Sequence, residues 1–111
     1  MEEKSLFIEL VGDSPTIRIL DYLLTERELD FSITDMAEHA GIGRATLYRN
    51  WDSLIKNNII VPTRVIGKAK LFKLNKESSK IKKLIELYDL LILEELYQRS
   101  QSQKLEMEIP A

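Results

Sequence analysis

Hydrophobic positions recur at helical spacing over five stretches of this chain and change once to the shorter period of strands. Leu6, Phe7 and Leu10 lie on one side of a helix predicted over Glu3 to Val11, with Gly12 as its C-terminal cap. Ser14-Pro15 reads as an N-cap followed by proline at the first helical position. Ile17, Ile19, Leu20, Leu23 and Leu24 carry that helix to about Glu28. Asp30-Phe31-Ser32 is a short link with room for a strand of one or two residues. Ser32, three residues before Asp35, opens a helix from Ile33 to about His39, and Ala40-Gly41-Ile42-Gly43 breaks it. The next helix runs from Arg44 to about Asn57, with Leu47, Trp51, Leu54 and Ile55 as one apolar stripe. Asn57-Asn58 ends it, because asparagine tolerates the left-handed conformation.

The period then changes. Ile59 to Ile66 is rich in β-branched residues, Gly67-Lys68 is a turn signal, and Ala69 to Leu74 partly alternates. A two-stranded hairpin is expected, with Pro62 keeping its strand at an edge. Polar Asn75 to Ser79 leads into a last helix, from Lys80 to about Arg99, roughly 30 Å long. The fold class expected is mainly α with a small β-hairpin and a long C-terminal helix.

One junction carries specific chemistry. Two helices that cross steeply at a tight turn need a small residue where they touch and a glycine in the turn. Ala37 is the small residue and Gly41 the turn glycine, four positions on. Ile42 points back to the core, and Met36, Leu47 and Trp51 complete the apolar lock.

Charge sharpens this picture. The 111 residues carry a net charge of −2, yet eleven Lys/Arg and two acids fall between Arg44 and Lys83, a local net of +9. The remainder carries −11. A phosphate backbone responds to the local surface and not to the chain total.

The run SITDMAEHAGIGRATLYRNWDSLIKNNIIVPTRVIGKAKLFKLN resembles the winged helix-turn-helix domains of small archaeal and bacterial transcriptional regulators, in the broad MarR/ArsR-like group. GDSPTIRILDYLL resembles their leading core helix, so the likeness covers about Gly12 to Lys83. Asn58 departs from the glycine common before the strand, conservatively. The resemblance implies a winged helix-turn-helix fold, a DNA-binding mode and often a homodimer. It implies no particular operator or effector.

In that mode the helix over 44–57 enters the major groove. Ala45, Thr46, Tyr48 and Arg49 are then the candidates for base contact, with Arg49 able to donate two hydrogen bonds to guanine. Ser32, Thr34, Arg44, Ser53 and Lys56 are the candidates for the DNA backbone. Asp52 would repel phosphate unless it paired with Arg49 or Lys56 or accepted from a cytosine amine. The hairpin over 60–74 resembles the wing, with Arg64, Gly67, Lys68 and Lys70 meeting the minor groove or the phosphates. Lysines there also guard an edge strand against pairing.

The last helix carries more than one apolar stripe. One covers the core, and the rest wants a partner, most economically a second copy. Leu84, Leu87, Tyr88, Leu91, Ile92 and Leu96 are the candidate dimer interface, with Leu6, Phe7 and Leu10 adjoining. The expected division is 1–12, a helical segment touching the dimer; 13–75, the DNA-binding domain; 76–99, the dimerisation helix; and 100–111, a frayed tail.

The chain has no cysteine and one histidine, His39, so no metal, cofactor or catalytic residue is assigned. There is no glycine-rich phosphate loop, and an enzyme is not expected. The acidic start and the charge-broken apolar run at Leu84 to Leu96 suit neither a signal peptide nor a membrane span, so a cytoplasmic protein is expected. Double-stranded DNA is the expected partner. The rival readings are a protein-interaction module on the same fold and a structural DNA-binding protein without sequence preference.

Overall fold

The computed structural model describes residues 4–108, with side chains through residue 103. Five helices and three strands follow in the order α1 (Leu6–Val11), α2 (Pro15–Thr25), β1 (Asp30–Phe31), α3 (Ile33–Ala40), α4 (Arg44–Lys56), β2 (Ile60–Ile66), β3 (Ala69–Leu74) and α5 (Ser79–Glu108).

Caps set the helix starts. The hydroxyls of Ser5, Ser14 and Ser32 accept from the amides of Ile8, Ile17 and Asp35 at 3.1, 3.2 and 3.1 Å. Each satisfies an amide that the first helical turn leaves unpaired. Ser5 therefore opens α1, while the expected start at Glu3 lies outside the described residues. Helix α2 stops at Thr25, short of the expected Glu28. Glu26 leaves the helical conformation, and Arg27 Nε donates to the Leu24 carbonyl at 3.0 Å, filling an acceptor that the helix end exposes.

The short strand for which the Asp30-Phe31 link leaves room is present, and it joins the hairpin in a sheet of three strands. Asp30 and Phe31 pair antiparallel with Lys73 and Phe72, giving the order β1-β3-β2. A two-residue strand is too short to show a period. Strand β2 lies at an edge, as Pro62 requires, and a bulge between Pro62 and Arg64 leaves Thr63 outside the ladder. Gly67, first of the two loop residues, has φ +60, which a type II′ hairpin turn demands at that position.

The core lies where α2, α3, α4 and the inner face of the sheet converge. Ile19, Leu23, Leu24, Met36, Leu47, Leu54, Leu74 and Ile81 are fully buried within it. Trp51 meets Phe72 edge-on at 4.7 Å, fixing α4 against the sheet. Ile55, expected in the apolar stripe of α4, is 41% exposed. It lies about 80° round the helix from Leu47, past the edge of the contact.

Helix α5 begins on the core through Ile81, Leu84, Ile85, Tyr88 and Leu91. The Tyr88 hydroxyl lies 2.6 Å from that of Thr25, and its ring packs on Phe7 at 6.1 Å. Arg27 grips Asp89 with two hydrogen bonds of 2.8 and 3.1 Å. The helix continues to Glu108, where the sequence had suggested an end near Arg99 and a frayed tail. Ser100 to Glu108 has neither glycine nor proline and is rich in Gln, Lys, Leu, Glu and Met, which all favour helix. The expected tail beyond residue 108 lies outside the described residues.

Candidate nucleic-acid interface

Helices α3 and α4 meet at the predicted small residue. Ala37 is 3% exposed, and Gly41 closes α3 in the left-handed region, φ +71 and ψ +35. Its amide donates to Glu38 O at 3.2 Å, and that of Ile42 to Ala37 O at 3.0 Å, after which Gly43 starts α4. Arg18 of α2, which sequence reasoning passed over, donates to the Gly41 carbonyl at 3.3 Å while bound to Asp13 at 2.7 and 3.0 Å. A guanidinium thus ties the turn to the preceding helix. No local period marks such a long-range contact.

Helix α4 turns Leu47 and Leu54 inward, with Trp51 at the boundary, and presents the opposite face to solvent. Ala45, Tyr48, Arg49, Asp52, Ser53 and Lys56 are exposed and Thr46 is half-buried. Tyr48 is 57% exposed and is not tucked beneath the hairpin. Arg49 Nη2 donates to Thr46 Oγ1 at 3.1 Å, which joins two candidate base-contacting residues. Asn50, not singled out from sequence, accepts from Thr16 at 3.0 Å and donates to Thr46 O at 2.7 Å, linking α4 to α2. Arg44 donates to Thr34 Oγ1, so two expected backbone contacts on different helices come together. Ser32 is already engaged as the α3 cap, and Ser53 accepts from Asn57 at 3.1 Å.

After α4 comes the hairpin, held to it by the Trp51–Phe72 contact and ending in exposed Gly67 and Lys68. The fold is a winged helix-turn-helix. No family model and no curated protein matches the chain. Solved structures do. The transcriptional regulator HlyU from Vibrio vulnificus CMCP6 aligns at 15% identity over 78% of this chain and 83% of its own, with a TM-score of 0.55. A mutant form of S. aureus MepR, bound to an oligodeoxyribonucleotide, aligns at 19% identity over 88% and 70%, TM-score 0.57. M. tuberculosis Rv0081 aligns at 20% identity over 85% and 89%, TM-score 0.53. At such identities the likeness is one of fold.

Pairing divides the basic stretch of the winged helix-turn-helix into two groups. Arg64, expected on the wing as a DNA contact, is held by Asp30 through hydrogen bonds of 2.9 and 3.2 Å. Thr63, freed by the bulge, donates to the same carboxylate at 2.8 Å. The clamp therefore spans the sheet from β2 to β1. The hydrogen bond from Arg64, with that from Thr63 second, holds the Asp30 carboxyl below its usual range. Lys76 binds Glu28 at 2.7 Å, Lys73 lies 3.8 Å from it, and Lys83 pairs with Glu86 at 3.2 Å. The Lys76 hydrogen bond lowers the Glu28 carboxyl likewise.

Arg44, Arg49, Lys56, Lys68, Lys70, Lys80 and Lys82 have no ion-pair partner among the described residues. They lie on the outward face of α4, on the wing tip and at the start of α5. Asp52 also has no ion-pair partner among the described residues, neither Arg49 nor Lys56 lying within 4 Å. Lys70 shares the α4-facing side of the sheet with Phe72, two residues on.

The proposed dimer residues separate by face. Leu84, Tyr88 and Leu91 are half-buried against the core of their own chain, and Leu87 is half-buried too. Phe7, expected beside the interface, is 2% exposed inside that core. Ile92 and Leu96 are exposed, as are Leu90, Leu93 and Tyr97, which were not assigned to the interface from sequence. At 100° per residue Leu90, Leu93 and Tyr97 lie opposite the inward face of Ile81, Leu84, Tyr88 and Leu91. Choosing Ile81 as the centre of the buried face, and not Leu84 to Leu96 as a block, would have found them.

Among the described residues no group of three or more His, Cys, Asp or Glu side chains is placed to hold a metal. His39 stacks on Tyr22 at 5.5 Å, near the end of α3. No described helix is long and apolar enough to cross a membrane.

Proposed function

We propose that the protein binds double-stranded DNA sequence-specifically, as a homodimeric transcriptional regulator. Helix α4 enters the major groove and the β2–β3 wing meets the minor groove or the adjacent phosphates. The observation that carries this reading is the unpaired cation set, which coincides with the outward face of α4 and the wing tip. A surface that neutralises its cations internally gains little from phosphate, whereas one that leaves them free gains by releasing counterions from DNA. Arg49 supplies the base-reading donor, with Ala45, Thr46 and Tyr48 around it. Ser32, Thr34, Arg44, Ser53 and Lys56 lie along the flanking backbone path. The DNA-bound state of MepR agrees with such use of the fold.

Support for the homodimer comes from the apolar strip of Leu90, Leu93, Leu96 and Tyr97 on α5, 50–66% exposed. Two such strips, brought together about a twofold axis, bury one another and present two α4 helices to successive major grooves. Non-sequence-specific binding is the second reading, favoured by Lys56, Lys68 and Lys70, whose point charges carry no base preference.

Selection of bound duplexes from a random pool, with affinities taken at two salt concentrations, tests the proposal. An enriched palindrome with half-sites about one helical turn apart is the expected result. Salt-sensitive binding without an enriched motif would leave the structural DNA-binding role. No binding at either salt would overturn both and leave a protein-interaction module.

A further inference from the structure

Val65 and Ile66 are 62% and 55% exposed, immediately before the Gly67 turn. Successive side chains on a strand point to opposite faces, so the wing tip is apolar on both sides. Val65 pairs with Lys70 and Ile66 with Ala69, and Lys68 and Lys70 have no carboxylate partner among the described residues. An exposed apolar pair flanked by free cations suits a partner that is anionic at its rim and apolar within. The minor groove offers phosphates along its edges, and the apolar faces of its bases become accessible once a step is unstacked.

We infer that the wing tip acts as an apolar wedge in the DNA minor groove, with Val65 and Ile66 prising open a base step while Lys68 and Lys70 hold the phosphates beside it. This rests on the proposed DNA-binding function and names what the wing reads. Both side chains are β-branched and stiff, so they lose little rotamer freedom on insertion. Gly67 has open space around it, which leaves the leading point of the hairpin slim. A ribbon with side chains on both faces, about 10 Å through, is wider than a groove of about 6 Å, so entry has to widen the groove and unstack a step. Neither side chain offers a hydrogen bond to a base edge. The wing therefore discriminates by the deformability of the step and favours TA or CA over GC. Arg64 is not the wedge's cation; its pairing with Asp30 braces the strand that carries the tip.

The experiment uses the full chain and the selected duplex, with either a TA or a GC step under the wing, end-labelled to read bending by fluorescence transfer. The unaltered protein is expected to bend the duplex and to prefer the TA form about tenfold. The double variant Val65→Thr/Ile66→Thr keeps β-branching and charge, and a thermal melt checks that it folds. It is expected to bind with an unchanged salt slope but to lose both the bend and the step preference. Lys68→Ala is expected to keep the preference and reduce the salt slope by about one. A double variant that still bends DNA and still prefers TA overturns the wedge alone. Failure of the unaltered protein to bind any duplex overturns the wedge together with the DNA-binding reading.

Discussion

Arg64 and Lys68 look equivalent along the chain, as two cations on one hairpin, but their surroundings differ. Arg64 is bound to Asp30 at 2.9 Å, while Lys68 has no ion-pair partner among the described residues. Lys68→Ala is accordingly expected to weaken binding to all sequences alike and to flatten the salt slope by about one unit, whereas Arg64→Ala leaves the slope unchanged. A slope reduced equally by both would show that Arg64 leaves Asp30 for phosphate. Arg49→Ala should cost ~1–3 kcal/mol on the selected site and relax specificity at one position. Equal losses on selected and random DNA would remove Arg49 from base readout. The Asp30 clamp also has an acid signature. Its folded pKa lies below the unfolded value, because Arg64 and Thr63 stabilise the carboxylate. The stability it contributes is thus present above the unfolded value and lost as pH falls through the folded one. Asp30→Asn should make the acid limb of stability shallower in an acid-unfolding titration. The remaining slope comes from Asp13, Glu28 and Asp89, whose carboxyls are lowered in the same sense by Arg18, Lys76 and Arg27.

Among the elements, the α3–α4 pair was the most legible, because its requirements are local. A tight crossing needs a small contact residue and a residue at positive φ, and Ala37 and Gly41 supply them. Gly41→Ala meets no steric obstacle, since a Cβ there would approach only Arg18 Nη1, at 3.8 Å. Its cost is the left-handed backbone itself, about 1–2 kcal/mol, read as a lowered midpoint in thermal or urea unfolding. A β-branched residue at the same position should cost more than alanine, and a neutral result for both would mean that the turn relaxes to another conformation. The sheet was less legible. The link at Asp30-Phe31 left room for a strand, but no pattern within two residues announces that its partner is the edge of β3. Without that pairing the Asp30 clamp could not have been anticipated. The bulge after Pro62 was hidden too, because an inserted residue shows only against the partner strand's register.

For the molecule as a whole, the decisive feature is a helix of 30 residues, about 45 Å long, that reaches beyond the body it packs on. Its first half spends Ile81, Leu84, Tyr88 and Leu91 on the core, and its middle leaves Leu90, Leu93, Leu96 and Tyr97 in water. In the proposed dimer that strip is the seam. Leu93→Glu with Tyr97→Glu should shift the protein to a monomer in sedimentation while leaving the fold intact by circular dichroism, since neither residue touches the core. Binding to a palindrome should fall far more than binding to a single half-site. An unaltered protein that sediments as a monomer at micromolar concentration would end the dimer reading.

Periodicity, caps and turn chemistry are local properties, and the sequence by itself determined what depends on them. It placed five helices, the hairpin with its glycine turn, and the basic stretch from Arg44 to Lys83. Its reach ended where an outcome depended on residues far apart in the chain. Only the tertiary structure decided which cations are free, because Asp30 and Glu28 lie more than thirty residues from the cations they bind. Only it decided which stripe of α5 is spent, because Phe7 and Thr25 must first arrive to bury Tyr88. Helical spacing sets where side chains can point, but a face becomes core or surface only when another element covers it.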